Sequence, residues 1–135
     1  MGTVRLLSDE EASAEALAVF DEIRAARGTD YVNNFWRALA HDPGLLRATW
    51  DRLRAVMAPG ALDPLVKELI YIAVSTANGC EYCVHSHTAA ARAKGMTAEM
   101  HAELLAVIGM AAQTNALVTG LQTPVDDMFK ADQAP

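Results

Sequence analysis

The chain of 135 residues predicts an all-α fold of six to seven helices. Three observations carry this: apolar residues recur at helical spacing, caps and breakers punctuate them, and no segment shows strand alternation or hairpin-turn chemistry. Ser8 with Glu11 forms a capping-box pair, and Ala16, Val19, Phe20 and Ile23 follow on one face. A first helix is expected from about Asp9 to Ala26, ended by Gly28. Tyr31 to His41 reads as a short helix, with Val32, Phe35, Trp36 and Leu39 apolar, stopped by Asp42-Pro43. Leu45 to Met57 is a third, with Leu46, Trp50, Leu53 and Met57 spaced by three or four; such an aromatic stripe reads as core rather than as pocket lining.

Pro59-Gly60 breaks the chain. Asp63 then caps a helix with Pro64 at its first position, where a missing N–H costs nothing. Leu65, Leu69, Ile72 and Val74 mark that helix as mostly buried, and Asn78-Gly79 ends it. Glu81 to Lys94 is the next, closed by Gly95, so that two helices form a hairpin with a C-x-x-C pair at the start of its second arm. Thr97 caps a last long helix carrying Leu104, Leu105, Ile108, Ala111 and Ala112, with a bend expected near Gly109 or Gln113. The tail from Asp126 to Pro135 is expected to fray.

A hydrophobic content of 52% suits one domain spanning residues 1–135. The net charge of −6, without a Lys/Arg cluster, argues against nucleic acid, because neutralising phosphates takes concentrated positive charge. The start turns acidic before any apolar signal region develops, and no apolar run is expected to approach the ~20 residues that span a bilayer. The expectation is therefore a cytoplasmic protein with no membrane partner. In a reducing compartment, the two cysteines at C-x-x-C spacing point to redox chemistry or metal binding rather than to a structural staple.

The chemistry-bearing residues lie between Glu68 and His87. On one continuous helix Glu68 and Cys80 would stand ~18 Å apart, too far to cooperate. Folding back at Asn78-Gly79 instead sets Glu68 level with roughly residues 87 to 90, and His87 becomes its neighbour. His87 also follows Cys83 by one helical turn. A relay results in which Glu68 orients His87, and His87, directly or through a water, removes the Cys83 proton to form the reactive thiolate. Cys80 sits in the first turn, where the helix dipole and free N–H groups also favour thiolate. A disulfide between positions three apart closes only with local adjustment, and a strained bridge exchanges readily. His85 points about 200° away from this face and is read either as a residue that supports the site from behind or as a surface residue, while His41 and His101 are read as solvent-facing.

Zinc is the competing reading, since Cys80, Cys83, His87 and Glu68 are all legitimate ligands. Against it, no second C-x-x-C is present, and structural zinc organises small modules that lack a core of their own. The residues are accordingly read as catalytic, with no metal and no organic cofactor.

Glu68, eleven residues, then C-x-x-C-x-x-x-H resembles the active-site signature of the AhpD-like alkylhydroperoxidases in the carboxymuconolactone decarboxylase superfamily. The flanking stretches VNNFWRALAHDPGLL and DPLVKELIYIAVSTANGCEYCVHSHTAAARAKG are similar to its peroxidase-related branch, so the resemblance runs from about Tyr31 to Leu121. It implies an AhpD-like helical bundle assembled as dimers, trimers or hexamers, and thiol-dependent reduction of hydroperoxides. Cys83 would attack the peroxide, Cys80 would resolve it and meet an external dithiol or a thioredoxin-like or lipoyl reductant, and Glu68 and His87 would relay protons. Tyr82 stands where some members carry a histidine. The decarboxylase members generally lack the C-x-x-C, which makes lactone decarboxylation the lesser expectation beside a non-peroxidatic dithiol or sensor role.

Overall fold

A computed structural model describes residues 2–130. Among them are six α-helices and no strand: α1 (Ala14–Arg27), α2 (Asn34–Leu39), α3 (Pro43–Met57), α4 (Pro64–Asn78), α5 (Glu81–Ala93) and α6 (Ala98–Leu121), followed by a 3₁₀ turn at Asp127–Phe129. The remainder of the tail expected to fray lies outside the described residues. The chain divides into two compact units, Met1–Ala58 and Pro59–Pro135, and the division falls at Pro59-Gly60.

In the first unit α3 packs on α1 and α2. Phe20, Ile23, Val32 and Leu46 are fully buried there, with Trp36 and Trp50 in edge-to-face contact at 5.4 Å. Each such side chain contributes roughly 1.5–3 kcal/mol by leaving water, so the aromatic stripe is core. Asp42 does more than stop α2: its carboxylate accepts the Leu45 N–H at 3.0 Å, and Pro43 opens α3.

The start of α1 differs from the sequence expectation. The Ser8/Glu11 capping box does form, with Ser8 N–H on the Glu11 carboxylate at 2.9 Å, but it closes only one turn. Asp9 is held off the helix by Arg24 at 2.7 Å and Arg37 at 3.1 Å, and Ser13 caps the helix instead, accepting the Ala16 N–H. Two long-range ion pairs outweigh a local capping preference.

The second unit is built on the α4–α5 hairpin, with α6 laid against α4. Gly79 takes φ 70°, the left-handed region where a side chain is strained. Its N–H bonds to Thr76 and that of Cys80 to Ser75, the paired closure that reverses the chain in two residues. One stripe of α4, Glu68, Ile72 and Ser75, is buried toward the hairpin. Val74, expected in the core, is 54% exposed, because it lies about 200° around the helix from Ile72. Val66 and Ile70 are exposed with it.

The core of this unit is thin: Ile72, Ala91 and Met96 are buried, flanked by Leu65, Leu69, Met100 and Leu104. Helix α6 runs 24 residues without a break at Gly109 or Gln113, and none of its residues is buried. Its mean hydropathy reaches 1.6 over 18 residues, so by length and composition it could cross a membrane, contrary to the expectation that no apolar run is that long. Gln113, Thr114 and Asn115 interrupt the apolar run without charge, and uncharged groups lower hydropathy too little to shorten it.

Candidate functional site

The hairpin turns Glu68 of α4 toward α5, where His87 Nδ1 lies 2.7 Å from Glu68 Oε2. Glu68 is 4% exposed, so its charge has to be met by protein groups. Burial raises its carboxyl, but hydrogen bonds from His87 and then Lys94 outweigh burial and hold it below the ordinary glutamate value. An ionised carboxylate only accepts, so Nδ1 carries the proton in this contact and the neutral imidazole has its lone pair on Nε2. Tyr71 stacks on the imidazole, ring centres 3.5 Å apart and 18° from parallel, fixing the plane in which that lone pair lies. Burial, with the charges of Cys83, Cys80 and Glu68, raises the Tyr71 hydroxyl and keeps it neutral.

Cys80 is the cap of α5. Its sulfur accepts the Cys83 N–H at 3.4 Å, and both thiols are reduced and partly exposed. Both thiols thus stand partly open at the positive end of a helix. Burial pushes the Cys83 thiol up to about 11; the hydrogen bond and charge of Cys80 act the same way, while the Ser75 hydroxyl lowers it. Cys83 is accordingly a thiol at rest. Among the described residues the imidazole hydrogen-bonds Glu68 and no hydrogen bond joins it to Cys83, although the two residues are one turn apart.

The four residues singled out in the sequence thus lie along one hairpin: Cys80 and Cys83 at its closed end, and the Glu68–His87 pair farther along. Among the described residues no group of three or more His, Cys, Asp or Glu side chains is placed to hold a metal ion. His85 and Tyr82 are exposed; His41 belongs to the first unit, where its Nε2 lies 2.6 Å from the Arg5 carbonyl of the same unit. Three participants escaped the sequence reading: Tyr71, Ser75 and Lys94. Each had a positional signal, since Tyr71 and Ser75 fall three and seven residues after Glu68, and Lys94 falls seven after His87, all spacings that return to the same helix face.

Known proteins agree with this architecture. The carboxymuconolactone decarboxylase family model matches residues 43–124, which contain the whole hairpin. A crystal structure described as the alkylhydroperoxidase AhpD core from Rhodospirillum rubrum is 66% identical, with a TM-score of 0.92 over 96% of this chain and 97% of that one. The alkyl hydroperoxide reductase AhpD of Mycobacteroides abscessus is 32% identical over 109 residues, 75% of this chain and 62% of that protein. An uncharacterized protein of the cox locus in Paracoccus denitrificans is 36% identical over 63 residues, 47% of this chain and 54% of its own length. The chain thus spans less than two thirds of these two relatives. A matched family model over most of the chain, together with a helical neighbour aligned nearly end to end, places the protein in the carboxymuconolactone decarboxylase family as an AhpD-like member.

Proposed function

We propose that the protein is a thiol-dependent peroxidase that reduces hydroperoxides through Cys83 and Cys80, with His87 and Glu68 moving the proton. The observation that carries this is the buried Glu68–His87 contact on the hairpin that bears both thiols. Because Cys83 rests protonated, attack needs a base, and His87 with Nε2 unprotonated is the base one turn away. The proton passes through the entering peroxide or a water, which bridges the gap between the two side chains. The Cys83 sulfur attacks the distal oxygen, the O–O bond breaks, and the leaving alkoxide takes the proton from His87 to depart as an alcohol, leaving a sulfenic acid. Cys80 then attacks the Cys83 sulfur, water leaves and a disulfide forms. An external dithiol, thioredoxin-like or lipoyl-bearing, returns the pair to two thiols.

Peroxide consumption with a dithiol donor tests this directly: turnover dependent on both reagents is expected, and none at any donor concentration would overturn it. The raised Cys83 thiol favours a second reading, a dithiol redox or sensor protein that oxidises once per signal. A single stoichiometric oxidation without sustained turnover would select it.

The same proposal extends to self-association in a cytoplasmic setting, as a dimer, trimer or hexamer. The thin core of the second unit and the unburied apolar helix α6, with Leu117 and Val118 more than half exposed, support it. In a bilayer, by contrast, Gln113 and Asn115 would lie mid-helix in hydrocarbon, a costly place for amides. Sedimentation should find an assembly that Leu117→Glu shifts to smaller species with helical content retained. A monomer in the unsubstituted protein would end this part of the reading.

A further inference from the structure

We infer that Lys94 is a positioning residue of the site, holding Glu68 through one carboxylate oxygen so that the other stays aligned on His87. This rests on reading Glu68 and His87 as the proton relay, and it assigns Lys94 to that relay's far end.

The geometry is specific. Lys94 Nζ lies 3.1 Å from Glu68 Oε1 while His87 Nδ1 lies 2.7 Å from Oε2, so each oxygen has one cationic or N–H partner. A carboxylate engaged at both oxygens cannot rotate about its last bond without losing a partner. Glu68 is 4% exposed, and water is poorly placed to substitute for a lost contact. The Lys94 backbone is fixed at the end of α5, with its N–H on the Ala90 and Ala91 carbonyls at 3.1 Å, while its side chain is 40% exposed and is held to the site by the Glu68 contact. Eleven residues separate it from Cys83, about 16 Å along the helix, so it touches neither thiol and acts only through Glu68.

The charge balance explains why a cation is needed there. When His87 accepts a proton, the carboxylate has to remain ionised to stabilise the imidazolium. A carboxylate this deep would otherwise take a proton itself, and as an acid it could no longer accept from Nδ1. Among the described residues, Glu68 is ion-paired with His87 and Lys94 from α5; Tyr71 and the adjacent Lys67 are titratable residues beside it on its own helix, and no hydrogen bond or ion pair to a titratable group of α6, which packs on α4, is formed.

Nitrogen NMR of the His87 ring, recorded in alkali where the imidazole is neutral, tests the inference without requiring turnover, because the ring nitrogens report which of them carries the proton. In the full chain the Nδ1–H form should predominate, held by the aligned Glu68 oxygen. Lys94→Met should raise the Nε2–H share several-fold with helical content unchanged, and Lys94→Arg should restore the original share. An unchanged tautomer ratio in Lys94→Met, or Lys94→Arg behaving like Lys94→Met, would each overturn it. A protein without peroxide turnover that still shows the tautomer change would count against the peroxidase reading alone.

Discussion

Replacing Cys83 by serine is expected to abolish peroxide-dependent turnover. Attack on the O–O bond needs a polarizable, ionisable nucleophile, and a serine hydroxyl supplies neither at neutral pH. The substitution is nearly isosteric at a partly exposed position, so helical content and assembly should be unchanged and the loss can be read as chemical. Cys80→Ser provides the complement: one equivalent of peroxide is consumed, a sulfenic acid accumulates on Cys83 and dithiol-supported cycling stops. Rapid-mix peroxide assays with mass spectrometry of the cysteine peptide measure both. Sustained turnover by the Cys83 variant would transfer the attack to Cys80.

His87→Gln should lower peroxide turnover by about 10²–10⁴-fold, the usual contribution of a positioned general base. The pH profile carries the more specific expectation. With Cys83 near 11, only about one thiol in 10⁴ is ionised at pH 7. The thiol is raised, so its thiolate is scarce below that value and grows tenfold per pH unit toward it. In the glutamine variant the rate should follow that rise and approach the wild-type rate only in strong alkali. The unsubstituted protein should reach its plateau well below it, because the base removes the proton during attack rather than beforehand. Parallel profiles for the two proteins would remove His87 from the relay.

The fold was legible wherever the signal was local. Asp63-Pro64, Asn78-Gly79 and Thr97 mark helix ends in the sequence, and the structure places α4, α5 and α6 within a residue or two of those marks. Caps work because the side chain or the left-handed glycine bonds to backbone groups two to five residues away, inside the same stretch of sequence. Ser8 shows the limit of that rule. Its capping box is made, yet the helix begins after Ser13, because Arg24 and Arg37 hold Asp9 from far along the chain.

The site divides along the same line. A two-residue reversal at Asn78-Gly79 leaves little freedom in which residues of the two arms face each other, so the Glu68–His87 pairing and the thiols at the helix start could be read from spacing alone. Burial and long side-chain reach could not. The hydrophobic spacing left Val74 as plausible a core residue as Ile72, and only the rotation of α4 against α5 decided that one is exposed and the other buried. That same rotation buries Cys83 enough to raise its thiol, sets Ser75 against it and brings the Lys94 ammonium to Glu68. Sequence by itself determined where α4 begins and ends, where α5 and α6 begin and which residues meet across the short turn, since backbone hydrogen bonding over a few residues settles all of these. Tertiary structure decided how each helix is turned about its axis, and with it the electrostatics of the thiol and the second partner of the glutamate, because those depend on desolvation and contacts that no local pattern encodes.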